Sequence, residues 1–366
     1  MKNILVWSNK ESYLKNRKNY IKIFDKVSNS SQIILGPEVK KFEASFSQFT
    51  GNKYGVGVNS GTDALEIILM SLNIGLGDEV ITTSNTAVPT VSAIVSCGAK
   101  PVFVDICEKD FLINIELIKK KISKKTKAII VVNLYGQCVD FKNLKKIINP
   151  KKINIIEDCA QSSGSYYRKK PSGSFGIMSA FSFYPTKNLG TFGDGGMIVT
   201  NNKKLYTKSL KLRKYGMSKQ YYSNFHGVNS RLDELHAAIL NFKLKNLKND
   251  INKRRKIADY YNKNINNKKL ILPKENKNNY HSYYVYVVRT KRRTAFLAYL
   301  KRNKIICNIS YPYPIHLMKG YSYLGYKKGD LKVTEKLSKE IFSLPMYPEL
   351  SMKKVKYIVN IINQFN

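Results

Sequence analysis

Between about residues 53 and 200 the chain alternates short apolar, β-branched runs with segments whose apolar positions recur at helical spacing. Val80-Ile81-Thr82-Thr83, Pro101-Val102-Phe103-Val104-Asp105, Ala128-Ile129-Ile130-Val131-Val132 and Ile153-Asn154-Ile155-Ile156 are the strand candidates. They are nearly continuous in apolar character, which suits parallel strands covered on both faces. Helical patterns over 62–72 and 88–97 lie between them. This rhythm predicts an α/β domain with right-handed crossovers and a ligand site beyond the carboxyl ends of its strands. After residue 229 the pattern changes. Leu232, Leu235, Ile239, Leu240, Leu244, Leu247 and Ile251 predict one long helix leaving that domain. A strand over 280–288, a helix over 294–302 and a tail over 333–362 that is helical at both ends follow. The expected organisation is a large domain over 1–249 and a smaller α/β domain over 250–366, with the amino-terminal segment free to pack on the smaller one.

Composition narrows the class. With 366 residues and a hydrophobic share of 43% the chain can bury a sizeable core. No run approaches the roughly twenty apolar residues of a membrane span, so no membrane partner is expected. The start, Met1-Lys2-Asn3-Ile4-Leu5-Val6-Trp7, lacks the long apolar segment and cleavage site of a signal peptide. Five cysteines (Cys97, Cys107, Cys138, Cys159 and Cys307) form no C-x-x-C pair. No metal site is therefore expected, and a reducing cytoplasm is. The net charge of +38 raises nucleic acid as a partner. Its lysines, however, are spread over element ends, and no nucleic-acid-binding motif accompanies them. A milder consequence is a positive field that draws in anionic ligands.

Three local patterns carry chemistry. Asn59-Ser60-Gly61-Thr62-Asp63-Ala64-Leu65 is a glycine turn entering a helix, where free amides form an anion site, although a simple cap looks the same. Ile155-Ile156-Glu157-Asp158-Cys159-Ala160-Gln161 sets a carboxylate at the end of an apolar strand, costly unless a partner compensates it. It caps the next turn or keeps a pyridine nitrogen protonated. Ala180-Phe181-Ser182-Phe183-Tyr184-Pro185-Thr186-Lys187-Asn188-Leu189-Gly190 presents one lysine among small and apolar neighbours, a setting that lowers its pKa and suits Schiff-base chemistry. Twenty-nine positions separate Lys187 from Asp158, consistent with two neighbouring strand ends.

With these boxes in order, and with Ile34-Leu35-Gly36-Pro37-Glu38-Val39, Gly77-Asp78-Glu79-Val80-Ile81, Leu134-Tyr135-Gly136-Gln137 and Asn229-Ser230-Arg231-Leu232-Asp233-Glu234, the sequence resembles the DegT/DnrJ/EryC1/StrS sugar aminotransferases. The resemblance implies the type I fold of pyridoxal-phosphate enzymes. It makes Lys187 the residue that binds the cofactor covalently and then moves protons between cofactor and substrate carbons. It pairs Asp158 with the pyridinium nitrogen, lays Gln161 against the ring or its hydroxyl, and gives the phosphate to Gly61, Thr62 and Ser182. Asn229 is implied to reach the phosphate in a second subunit, so the active unit is a homodimer. Relatives that eliminate water have histidine where this chain has Lys187, which disfavours that chemistry. Two departures stand out: Asn133 replaces a common histidine, and Ala87 replaces an aromatic that covers the cofactor, leaving Asn85 or a more distant residue to do so.

The implied substrate is a nucleoside-diphosphate keto-deoxyhexose, linked to deoxythymidine, with glutamate as amino donor. The Ala87 variant, the Lys187 segment and Tyr311-Pro312-Tyr313-Pro314-Ile315-His316 resemble the branch acting on 3-keto-6-deoxy sugars, with Tyr184 and His316 near the sugar. Lys214 and Lys219 are among many cations that could attract the diphosphate. Amination at C4 is the alternative within the family. A regulatory protein that binds the cofactor or DNA without turnover is the alternative outside it, disfavoured by the intact Lys187–Asp158 pair.

Overall fold

The computed structural model describes residues 3–366, so Met1 and Lys2 of the amino-terminal stretch lie outside the described residues. Two helices, α1 (Lys10–Asn29) and α2 (Pro37–Phe49), precede the sheet. Its strands are β1 (Tyr54–Val58), β2 (Glu79–Thr83), β3 (Lys100–Val104), β4 (Thr126–Val132), β5 (Asn154–Asp158), β6 (Met178–Ser182) and β7 (Gly196–Thr200). They lie side by side in the order β1-β7-β6-β5-β4-β2-β3. All neighbours are parallel except those of β7, which runs antiparallel to both β1 and β6. Residues of β4 from Ala128 to Val132 are all buried, as their unbroken apolar character requires.

Helices α3 (Gly61–Ser71) and α4 (Val88–Ser96) pack on one face of the sheet, sharing a core of Leu65, Ile68, Ile94, Ile130 and Ile198. On the other face Phe42, Phe46, Phe181 and Phe183 meet edge to face or tilted, with ring centroids 4.9–5.5 Å apart. Beyond the sheet come α5 (Lys203–Leu212), α6 (Glu234–Leu244) and α7 (Leu247–Asn264). A two-stranded sheet of β8 (Tyr286–Arg289) and β9 (Ile341–Leu344) follows, with α8 (Arg293–Arg302), α9 (Lys332–Glu340) and α10 (Met352–Asn363). A separate core of Tyr261, Tyr286, Phe296, Phe342 and Ile358 builds this region, and Ile4 joins it from the amino terminus.

Two predicted elements are divided. The single helix expected through Leu244 and Ile251 is α6 and α7, broken at Lys245–Asn246. The break lets one apolar face change partners: Leu240, Leu247 and Ile251 pack with the aromatic cluster, whereas Ile257, Ala258 and Tyr261 enter the later core. The strand expected over 280–288 is interrupted as well. Asn279–Tyr280 pairs with Tyr166–Tyr167, and Tyr286 onward pairs with β9. Between them Tyr283 has φ +47°, and the amides of Ser282 and Tyr284 bond the carbonyls of Gly136 and Tyr135. The kink delivers Tyr284 to the ends of the central strands.

Candidate active site

Strands β5 and β6 are adjacent and parallel, with Asp158 opposite Ala180, so their carboxyl ends open at one place. Asp158 is 5% exposed. One of its oxygens accepts from the Thr90 hydroxyl at 2.7 Å and the other from the Ala160 amide at 3.1 Å. Thr90 in turn shares a 2.9 Å hydrogen bond with Thr86 at the start of α4. Burial pushes the Asp158 carboxyl up, against the Thr90 and Ala160 hydrogen bonds and the positive charge of Lys187. A carboxylate held like this is short of a cationic partner.

Lys187 lies on the loop after β6. That loop closes through the Lys187 amide to the Tyr184 carbonyl at 2.9 Å. Its far end needs glycine, because a Cβ on Gly190 would stand 2.7 Å from the carbonyl oxygens of Tyr184 and Pro185. The Lys187 ammonium sits 4.9 Å from the centroid of the Tyr284 ring, whose hydroxyl shares a 3.1 Å hydrogen bond with Thr186. Asn188, next to the lysine, has a buried Oδ1 without a hydrogen-bond partner.

The phosphate candidates also converge. Ser60 caps α3 by accepting from the Asp63 amide at 3.1 Å, and the first amides of a helix have no acceptor within it. A Cβ on Gly61 would fall 2.8 Å from the Ser182 Cβ, so glycine alone lets the helix start press against the end of β6. Gly61, Thr62 and Ser182 thereby form one half-buried cradle. Asn229 is exposed; its neighbour Ser230 donates to Asp63 at 2.6 Å and accepts from the Asn59 amide at 3.0 Å.

Gln161 accepts from the Tyr135 amide at 2.8 Å and donates to the Tyr311 hydroxyl. Tyr311 stacks on Tyr135, with centroids 6.2 Å apart, and Tyr135 itself has φ +59°. The Tyr135 hydroxyl is buried beside Asn85 without a hydrogen bond of normal geometry, and burial pushes it well up. Asn85 is 2% exposed, with its side-chain amide directed to the Phe111 carbonyl at 3.5 Å. Tyr184 is half exposed at the mouth of the loop.

Two residues sit elsewhere. His316 is enclosed: its Nδ1 shares a 2.8 Å hydrogen bond with the Ser84 hydroxyl, and its Nε2 faces Glu335 at 3.2 Å. Asn133 lies below the site, bonded to Glu157, Ser172 and the Val139 amide. Sequence patterns singled out neither Tyr284 nor Thr90, nor Tyr311 as a partner of Gln161. Tyr311 had a signal in the Tyr-Pro-Tyr-Pro turn; Tyr284 had only its place in a tyrosine-rich strand.

These residues fit pyridoxal phosphate. The cradle would suit its phosphate, the buried Asp158 carboxylate would suit its protonated ring nitrogen, and Lys187 would offer an amine to its aldehyde. Fold and site define a pyridoxal-phosphate-dependent aminotransferase of fold type I. The sequence matches the DegT/DnrJ/EryC1/StrS aminotransferase family over residues 15–363, and the chain belongs to that family. It is 43% identical to a dTDP-3-amino-3,4,6-trideoxy-alpha-D-glucose transaminase of Micromonospora megalomicea subsp. nigra, over 94% of both chains. It is 40% identical to a pleiotropic regulatory protein of Geobacillus stearothermophilus, over 97% of this chain and 96% of the other. The fold superimposes on S. venezuelae DesV, solved in complex with a ketimine intermediate, with TM-score 0.97 and 33% identity over 100% of this chain and 98% of that one. Among the described residues no helix is long and apolar enough to cross a membrane.

Proposed function

We propose that this enzyme transfers an amino group from glutamate to C3 of a deoxythymidine-diphosphate-linked 3-keto-6-deoxyhexose. The observation that carries the reading is the placement of Lys187 and the buried Asp158 at adjacent strand ends, beside the cradle of Gly61, Thr62 and Ser182. Similarity to a dTDP-3-amino-sugar transaminase supports the sugar, the nucleotide and the position. Bound pyridoxal phosphate supplies an electron sink that acidifies the substrate carbon.

The chain's own groups do the rest. Lys187 would move the proton between the substrate carbon and the cofactor carbon on the other side of the transferred nitrogen, and the Tyr284 face holds its ammonium when charged. Asp158, fixed by Thr90, holds the ring nitrogen's proton. Gln161 would lie against the ring or its hydroxyl, and Asn85, or a residue from elsewhere, would cover the face left open at Ala87. Tyr184 meets the sugar. The reacting groups lie where the large domain over 1–249 meets the small one over 250–366. Asn229 reaches a second subunit's phosphate, and exposed Ile33, Ile34 and Tyr184 suit burial in that dimer. The regulatory protein among the relatives keeps a reading without turnover in view, against which the complete lysine–aspartate pair argues.

The test is to supply glutamate with dTDP-linked 3-keto and 4-keto 6-deoxyhexoses separately and to identify the products by NMR. Amine at C3 of the first substrate, with the second unchanged, is the expected result. Amination of the 4-keto sugar alone establishes the alternative regiochemistry.

A further inference from the structure

On the far side of the Lys187 loop lies a cavity of about 480 Å³, within the ~300–1,000 Å³ range of small-ligand pockets. Pro185, Asn188 and Gly190 form one wall, and Ser12, Lys243 and Arg254 lie on others. Lys187 borders it, but Asp158, Gln161, Ser182 and Tyr311 do not, so it is distinct from the cofactor cradle.

One buried cation, Arg254, and one half-buried cation, Lys243, face this space without a salt-bridge partner. Arg254 is 3% exposed, and its Nη1 bonds the carbonyls of Tyr283, Tyr284 and Met346 at 3.3, 3.1 and 3.0 Å. Lys243 donates to the Gly190 carbonyl at 2.5 Å and stands 5.2 Å from the Phe192 ring centroid. Among the described residues neither forms an ion pair. Burial pulls Lys243 down to about 8 and Arg254 down to about 10. Of the two acids in the same cavity, Asp250 pairs with Lys253 at 3.2 Å and burial pushes the Glu349 carboxyl up; their charge favours the protonated forms of Lys243 and Arg254, but neither forms an ion pair with them. The lining carries Lys15, Lys187, Lys243, Lys245, Lys253 and Arg254 against only Asp250 and Glu349, an excess of positive charge that an anion would balance.

We infer that this cavity binds a small oxyanion, a carboxylate or a phosphate, between Lys243 and Arg254. The same two cations hold the active-site backbone, Lys243 at the end of the Lys187 loop and Arg254 at Tyr284, the residue under the Lys187 ammonium. An anion drawing on Lys243 competes with the Gly190 carbonyl, so occupancy of the cavity is coupled to the placement of Lys187. The inference needs no turnover and stands apart from the proposed reaction.

The test uses the enzyme with its cofactor bound, so that the phosphate cradle is filled. Inorganic phosphate and succinate are titrated separately at constant ionic strength balanced with chloride, and melting temperature is followed. A saturable rise with either anion is expected, with its midpoint moved about tenfold or more in Lys243→Met and unmoved in Lys204→Met. Saturation with phosphate alone assigns a phosphoryl ligand, and with succinate alone a dicarboxylate. A rise that does not saturate, or one that is the same in Lys243→Met, is non-specific binding to a basic surface and overturns the inference. Should Lys243→Met not fold, amine labelling of the parent near pH 8 decides: the effective anion must protect Lys243 and not Lys204, and equal labelling overturns it.

Discussion

Thr90, Asp158 and Lys187 share one electrostatic problem. The carboxylate is buried, its hydrogen bonds to Thr90 and Ala160 favour the charged form, and burial opposes them. Thr90→Val keeps the shape of the side chain and removes one of those bonds. It should lower kcat about tenfold, the worth of one hydrogen bond to a charged group, with little change in melting temperature. Unchanged kcat in steady-state assays would show that Thr90 does not hold Asp158 in its working state. The approach of positive charge and of anionic substrate is a surface matter. kcat/KM should therefore fall as ionic strength rises while kcat stays flat.

At the scale of elements, the site depends on a buried carboxylate that does no chemistry. Glu157 is fully enclosed and accepts from the amides of Gly173, Phe175 and Gly176 at 3.0, 2.6 and 2.9 Å, and from Asn133 at 3.1 Å. It ties the turn before β6 to the end of β5. Glu157→Ala strands these donors and should cost about 3 kcal/mol in chemical denaturation; a loss below about 1 kcal/mol would contradict that role. What the sequence revealed follows the same division. Gly61, Asp158 and Lys187 were legible because each sits in a local strand–turn–helix or strand–loop pattern. Tyr284 was not, because it reaches Lys187 only through the kink at Tyr283. The division of α6 from α7 was hidden because the apolar spacing continues across it while the core it packs against changes. His316 looked like a site residue by its neighbours, and only the packing of Ser84 and Glu335 around it shows that it is enclosed.

For the molecule as a whole, acid stability should carry the mark of His281. This imidazole is 4% exposed, stacks on Tyr283 at 4.0 Å and accepts from the Tyr283 amide at 2.9 Å. Burial, and then the charge of Arg255, pull it down to about 3 from 6.5. The unfolded chain therefore binds the proton first, and stability present above pH 6.5 is lost as pH falls toward 3. His281→Asn keeps an acceptor and removes the titration, so its melting temperature should fall less steeply with acid than the parent's. Parallel curves would contradict the assignment. The central claim is that Lys187 makes this fold a working aminotransferase, and the visible absorption spectrum of the purified protein with pyridoxal phosphate tests it most directly. The account predicts a band of lysine-bound cofactor that glutamate replaces with that of the aminated cofactor, and no such band in Lys187→Ala. A parent protein that shows no cofactor band, or a band that glutamate and the substitution both leave unchanged, would contradict it.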